Sequence, residues 1–206
     1  MVWWSALQMN REILFPTPIY FKMVKDPKKL NKYLFPLIKA WSKKDKSEKK
    51  TNAGGGWHSP TDMNHKKEYK PLTDELFVMQ EEVYKDYGME PKPGLGNMWA
   101  NINYPGAYNR QHIHPNSQWS GVYYVKVPGN LILEDPRPGP NIIIPRRMEG
   151  IPKALWRVVG YPPIEGQITM FPAWVPHSVH LNESKEKGAK GWRVSVSFNF
   201  TQVNDD

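Results

Sequence analysis

Apolar positions recur along this chain at two different periods, and the period changes near residue 90. In the first part Leu30, Leu34, Leu37, Ile38 and Trp41 recur at helical spacing. Asp26 followed by Pro27 supplies an N-cap and a first-turn proline. Pro36 lies inside the pattern and predicts a kink or a split. Residues 42–52 read as a polar loop leading into Gly54-Gly55-Gly56-Trp57-His58-Ser59-Pro60, which must also be a loop. A second helix is signalled by Thr73, with Asp74 and Glu75 in its first turn. Leu72, Leu76, Met79, Val83 and Tyr87 form its stripe, and Gly88 stops it.

After Pro91 the pattern switches to alternation. Residues 97–104 and 119–127 alternate, and 131–133, 142–144 and 156–159 are shorter β-type runs. Residues 167–171 and 192–201 complete at least seven predicted strands. No helical pattern separates them, which excludes alternating βαβ units. An antiparallel sandwich or jelly roll fits, with the N-terminal helices packed outside. The 206 residues are read as one domain, with 1–90 a helical region on the barrel and 91–206 its core.

Composition narrows the class. Apolar residues at 39% and charged residues at 23% exclude a disordered chain. No apolar run approaches the roughly 20 residues of a membrane span, and residues 1–10 lack a secretory pattern. A cytoplasmic chain is expected. The absence of Cys removes disulfide, thiol and thiolate-metal chemistry. The net charge of +8 is concentrated between Lys22 and Lys50, where eleven Lys face only Asp26, Asp45 and Glu48. Such a patch can meet nucleic acid or another anion. A solvated helix and loop is the simpler reading, because the patch has no Arg and no regular aromatic interleaving. Exposed aromatics would support a homodimer.

Four of the six His fall in two clusters within the β-rich part. In Gly106-Ala-Tyr-Asn-Arg-Gln-His112-Ile-His114-Pro115, two His at i and i+2 of an extended segment point the same way and can reach one metal. In Gly166-Gln-Ile-Thr-Met-Phe-Pro172-Ala-Trp-Val-Pro-His177-Ser-Val-His180, a strand runs into a proline-bounded turn that presents His177. His177 lies 63 residues beyond His114, a separation that a jelly roll closes. Imidazole suits iron, copper, nickel and zinc alike, so residue type does not choose the metal. His180 is a weaker candidate.

The last strand alternates strictly. Arg193, Ser195, Ser197 and Asn199 share one face, and Val194, Val196, Phe198 and Phe200 the other. A half-exposed edge strand gives this pattern. So does a pocket wall that holds a carboxylate with an Arg fork and a Ser hydroxyl.

The two His segments resemble the paired motifs of cupins, although no Glu follows His114 and Trp174 stands where the second motif has Gly. Taken in order, His112-Ile-His114, Ser120-Gly121-Val122-Tyr123-Tyr124-Val125, Asp135-Pro136-Arg137, Phe171-Pro172-Ala173-Trp174-Val175-Pro176-His177-Ser178-Val179 and Arg193-Val194-Ser195-Val196-Ser197-Phe198-Asn199 resemble more closely the 2-oxoglutarate- and iron(II)-dependent oxygenases of bacteria and their phages. Phe15-Pro16-Thr17-Pro18-Ile19 and Gly55-Gly56-Trp57-His58-Ser59 are similar to that family too. The resemblance implies a cupin-like double-stranded β-helix that uses Fe(II), 2-oxoglutarate and O2. It implies His112, His114 and His177 as metal ligands, with His114 in place of the superfamily's usual carboxylate. Arg193 and Ser195 match the motif for the far carboxylate of 2-oxoglutarate, with Tyr124 or Tyr123 beside them. The implied activity is hydroxylation of a small molecule or peptide, coupled to decarboxylation of 2-oxoglutarate. Trp57, His58, Asn101, Asn103 and Trp119 are candidates for the substrate side.

Two other readings stay open at this stage. A cupin-type three-His enzyme that does not use 2-oxoglutarate fits the histidines but leaves Arg193 and Ser195 without a purpose. A non-enzymatic module binding an acidic partner through the Lys-rich surface predicts steeply salt-dependent affinity.

Overall fold

A computed structural model describes residues 12–45, 52–90, 94–127, 129–138, 150 and 152–201. Its strands are β1 (Tyr20–Met23), β2 (Asn52–Ala53), β3 (Trp57–His58), β4 (Leu95–Asn103), β5 (Tyr108–His112), β6 (Trp119–Lys126), β7 (Leu131–Glu134), β8 (Val158–Tyr161), β9 (Gln167–Pro172), β10 (His177–Val179) and β11 (Arg193–Phe200). Two long helices, α1 (Pro27–Lys44) and α2 (Lys70–Tyr87), precede β4. The strands form a six-stranded sheet, β1-β9-β6-β11-β4-β3, facing a five-stranded one, β2-β5-β10-β7-β8. All pairings between named strands are antiparallel. This is the double-stranded β-helix that the alternating pattern and the resemblance led us to expect.

Alternation assigns the two faces of the larger sheet. Val194, Val196, Phe198 and Phe200 of β11 join Met98, Ala100 and Ile102 of β4 on its outer face. They pack in one cluster with Leu34 and Ile38 of α1 and Leu72, Leu76, Met79 and Val83 of α2. Each such side chain gains about 1.5–3 kcal/mol on full burial, so this layer anchors the helices. The inner face carries Arg193, Ser195, Ser197 and Asn199, and it looks toward the smaller sheet. A second apolar cluster of Val122, Tyr124, Leu131, Leu133, Phe171 and Val175 fills part of the space between the sheets.

Several local expectations are amended. α1 runs through Pro36 as one helix, because Leu34 and Ile38 on either side are both buried without exposure. Asp26 caps it through Lys29 N–H at 3.1 Å. α2 starts at Lys70, three residues before Thr73, whose hydroxyl donates back to the Tyr69 carbonyl at 3.2 Å. Gly88 ends α2 in the left-handed region (φ 74°). The first 90 residues are not helical alone: β1 pairs β9, β2 pairs β5 and β3 pairs β4. The Gly54-Gly55-Gly56 segment links β2 in one sheet to β3 in the other, all three residues at positive φ. A Cβ on Gly54 would come within 2.2 Å of the Gly106 carbonyl oxygen, so only glycine fits this crossing. The predicted strand at 142–144, and the stretch 46–51 of the predicted polar loop, lie outside the described residues.

Candidate metal centre

Three His from two strands and a turn converge at one end of the space between the sheets. His112 ends β5 and His177 opens β10, and the two are register partners. His114 sits two residues past β5, held by its backbone N–H donating to the Ala173 carbonyl at 3.0 Å. The ligand nitrogens of all three lie within 4.8 Å of one another. Nε2 of His114 and Nε2 of His177 are 3.2 Å apart. Two donors at right angles on a metal with bonds of about 2.1 Å are separated by about 3.0 Å, so this pair already has the spacing of adjacent ligands.

The backbone sets the tautomers. Nδ1 of His112 donates to the Arg110 carbonyl at 2.7 Å, and Nδ1 of His177 donates to the Val175 carbonyl at 2.9 Å. Each Nε2 lone pair is then left for a cation, the usual arrangement behind a metal-binding imidazole. The Arg110 carbonyl is available because the β5–β10 ladder is irregular here. His177 to Val179 faces His112 to Asn109, two steps against three, the count of a β-bulge. Burial, with the nearby His112, pushes His114 down to about 4 and His177 down to about 3. Neutral imidazole donors are the form a metal requires.

The histidines line one end of a cavity of about 460 Å³. Arg193, Ser195, Ser197 and Asn199 of β11 line it as well. β11 is central, flanked by β4 and β6, with Arg193, Ser195 and Asn199 of its polar row buried and Ser197 half-buried, so the edge-strand reading falls. Arg193 is 2% exposed, its Nε has no partner, and it forms no ion pair with a carboxylate among the described residues. Desolvation pulls it below the ordinary guanidinium pKa, and Tyr124 opposes that pull. The Tyr124 ring centroid is 5.8 Å from the guanidinium carbon. An arginine stays cationic when buried, and a buried cation without an anion is costly. The cavity therefore suits a ligand that carries a carboxylate.

The other sequence candidates separate cleanly. Tyr124 faces inward beside Arg193. Tyr123 faces outward into the helix-side core and donates its hydroxyl to Asn31 Oδ1, so the structure does not bring it to the cavity. His58 and Asn101 line the cavity, whereas Trp57 and Trp119 belong to the helix-side core. Asn103 is buried and donates to Asn109 Oδ1 at 2.9 Å. His180 is exposed and outside the three-His group. Sequence reasoning missed Trp99, whose ring stacks on His58 and tilts against His114, both at 5.6 Å between centroids. Alternation along β4 places Trp99 on the same face as Asn101, which was the signal available. It also missed Thr169, buried on the inner face of β9 and opposite Val122.

A double-stranded β-helix that brings three His able to hold a metal and a buried arginine to one cavity is the architecture that non-haem metal oxygenases use. Residues 97–199 match the family described as "Putative 2OG-Fe(II) oxygenase", and the chain belongs to that family. The family uses Fe(II), 2-oxoglutarate and O2, and the donor set and Arg193 fit the first two. Solved structures share the fold. A Pseudomonas putida prolyl-4-hydroxylase is 13% identical, with a TM-score of 0.59 over 90% of this chain and 93% of its own. The epimerase SnoN from nogalamycin biosynthesis, in complex with Fe3+, alpha ketoglutarate and nogalamycin RO, is 13% identical, with a TM-score of 0.60 over 90% of this chain and 79% of its own. The carbocyclase SnoK from the same biosynthesis is 10% identical, with a TM-score of 0.65 over 90% and 79%. No curated protein matches the chain. Among the described residues no helix is long and apolar enough to cross a membrane.

Proposed function

We propose that the protein is a hydroxylase that binds iron(II) through His112, His114 and His177, and anchors 2-oxoglutarate through Arg193. The observation that carries this reading is the buried, carboxylate-free Arg193 in the same cavity as the three-His group. Arg193 offers a fork to the far carboxylate, with the hydroxyls of Ser195 and Tyr124 beside it. Thr169, on the same inner face, is a further donor for that end. Bound iron(II) with 2-oxoglutarate supplies the oxidising chemistry, in which O2 splits the co-substrate into succinate and carbon dioxide as the substrate is oxidised. The chain's part is positional. The Arg110 and Val175 carbonyls hold His112 and His177 in the metal-binding tautomer. Trp99 and Phe171 wall the metal end with rings packed on His114 and His177 at 5.6 and 4.8 Å, which limits water there. The substrate enters from the side of His112, the exposed member of the group. A small molecule, or one side chain of a peptide, is the size of occupant such a cavity takes.

Hydroxylation, rather than the epimerase or carbocyclase outcome of two structural neighbours, is the simplest use of the site. The reading is tested by anaerobic titration of Fe(II)-loaded protein with 2-oxoglutarate. A weak visible charge-transfer band is expected in the native protein and not in Arg193→Ala. Succinate formation with equimolar hydroxylated product would then establish the reaction. Iron binding without a band would favour three-His chemistry that does not use 2-oxoglutarate. Failure to bind metal would make the histidines structural.

A further inference from the structure

Charge in the cavity is one-sided. Among the described residues its lining contains Arg110 and Arg193 and no Asp or Glu. Arg193 lies at the buried end, whereas Arg110 is exposed, in the bulge two residues before His112. Arg110 makes no ion pair among the described residues. Glu134, which Gln111 of the same bulge reaches, is also engaged by Arg157 at 3.4 Å, so it leaves Arg110 unneutralised. The metal group adds to the imbalance. Three imidazole ligands contribute no negative charge, so a divalent ion keeps its full charge toward the cavity. The two charges of 2-oxoglutarate offset Arg193 and half of the ion. Arg110 and the rest of the ion remain.

We propose that the substrate is an oxyanion, a carboxylate or phosphate monoester, and that Arg110 at the mouth binds its charged group. The inference rests on the iron and 2-oxoglutarate reading above. A cationic substrate is disfavoured by the same field, because nothing in the lining could pair with it. Arg110 is a specificity residue: it stands at the rim and fixes which end of the substrate faces outward, leaving the neutral part of the molecule beside His112 and Trp99.

The test is calorimetric binding of three probes that share one ring and differ in head group. Benzoate, phenyl phosphate and benzamide are titrated anaerobically into protein saturated with Fe(II) and 2-oxoglutarate. The visible band is monitored to confirm that the co-substrate stays bound. At least one charged probe should bind about tenfold or more tighter than benzamide, the scale of one charge-assisted hydrogen bond. Arg110→Gln should cut that preference severalfold and Arg110→Lys should keep most of it. Arg110→Glu should abolish it, so that benzoate and phenyl phosphate bind no tighter than benzamide. Far-UV circular dichroism checks that the variants fold. Whichever of benzoate and phenyl phosphate binds tighter names the head group. Equal binding of charged and neutral probes, a preference undiminished in Arg110→Gln, or no binding of either charged probe with the band intact overturns the proposal. Loss of the band itself overturns the underlying reading instead.

Discussion

At the residue scale the site depends on imidazoles held neutral. An unfolded histidine protonates near its ordinary value of about 6.5, whereas His114 and His177 wait until about 4 and about 3. Between those values the unfolded chain binds more protons than the folded one, so stability must fall as pH drops below about 6.5. Asp62 and Asp135 have carboxyls held below their ordinary value by Lys66 and Arg137, and they add acid sensitivity only further down. The window from about pH 6.5 to 4.5 therefore isolates the histidines. In metal-free protein the urea midpoint should decline steadily across it, and His177→Gln should flatten the decline. An unchanged slope in that variant would show that His177 is protonated as easily folded as unfolded. That His112 and His114 could reach one metal was legible from spacing, because i and i+2 of an extended segment share a face, whereas His177 joined them through the family resemblance. The carbonyl partners of the rings were not legible, since a bulge leaves no mark in the residue pattern.

At the element scale the sequence read well wherever one face of an element is buried and the other is distinct. α2, β4, β6, β9 and β11 each carry such a contrast, and each was found within a few residues. β2 and β3 were missed because two residues cannot display a period, and β1 because its Tyr-Phe-Lys-Met lacks the run of β-type residues that marked the equally short β7 and β8. Their strand character comes from the partner edge rather than from their own side chains. Pro36 shows the reverse case, a local signal overruled by packing. Its ring removes one helical hydrogen bond and crowds the preceding turn, yet α1 is pinned by Leu34 and Ile38 against β6 and by Asn31 on Tyr123. Pro36 is itself exposed, so Ala there should keep the packing and restore the bond. Pro36→Ala is expected to stabilise by about 1–3 kcal/mol, raising the melting temperature by roughly 3–10 °C. A melting temperature that falls would mean that α1 needs the proline's shape to seat on the sheet.

At the scale of the whole molecule, the larger sheet separates two charged regions that are easily confused in the sequence. Val194, Val196, Phe198 and Phe200 face α1, while Arg193, Ser195, Ser197 and Asn199 face the cavity. The exposed lysines of α1, Lys28, Lys29, Lys32, Lys43 and Lys44, therefore stand behind the sheet, on the side away from the histidines. Their charges end in solvent, where salt at physiological strength screens them over about 8 Å. Charge on α1 should thus have little influence on what the cavity binds. Binding to the folded state alone raises stability by about 2.7 kcal/mol at a hundredfold excess over Kd, or roughly 5–10 °C for a chain of this length. Anaerobic loading with Fe(II) and 2-oxoglutarate should raise the melting temperature by that amount in native protein, and equally when the five lysines are changed to Ala. Arg193→Ala should keep the shift from iron and lose the part from 2-oxoglutarate. If instead the lysine variant lost the co-substrate's share, the field of α1 would reach through the sheet, and the cavity's preference for anions would belong to the whole molecule rather than to its two arginines.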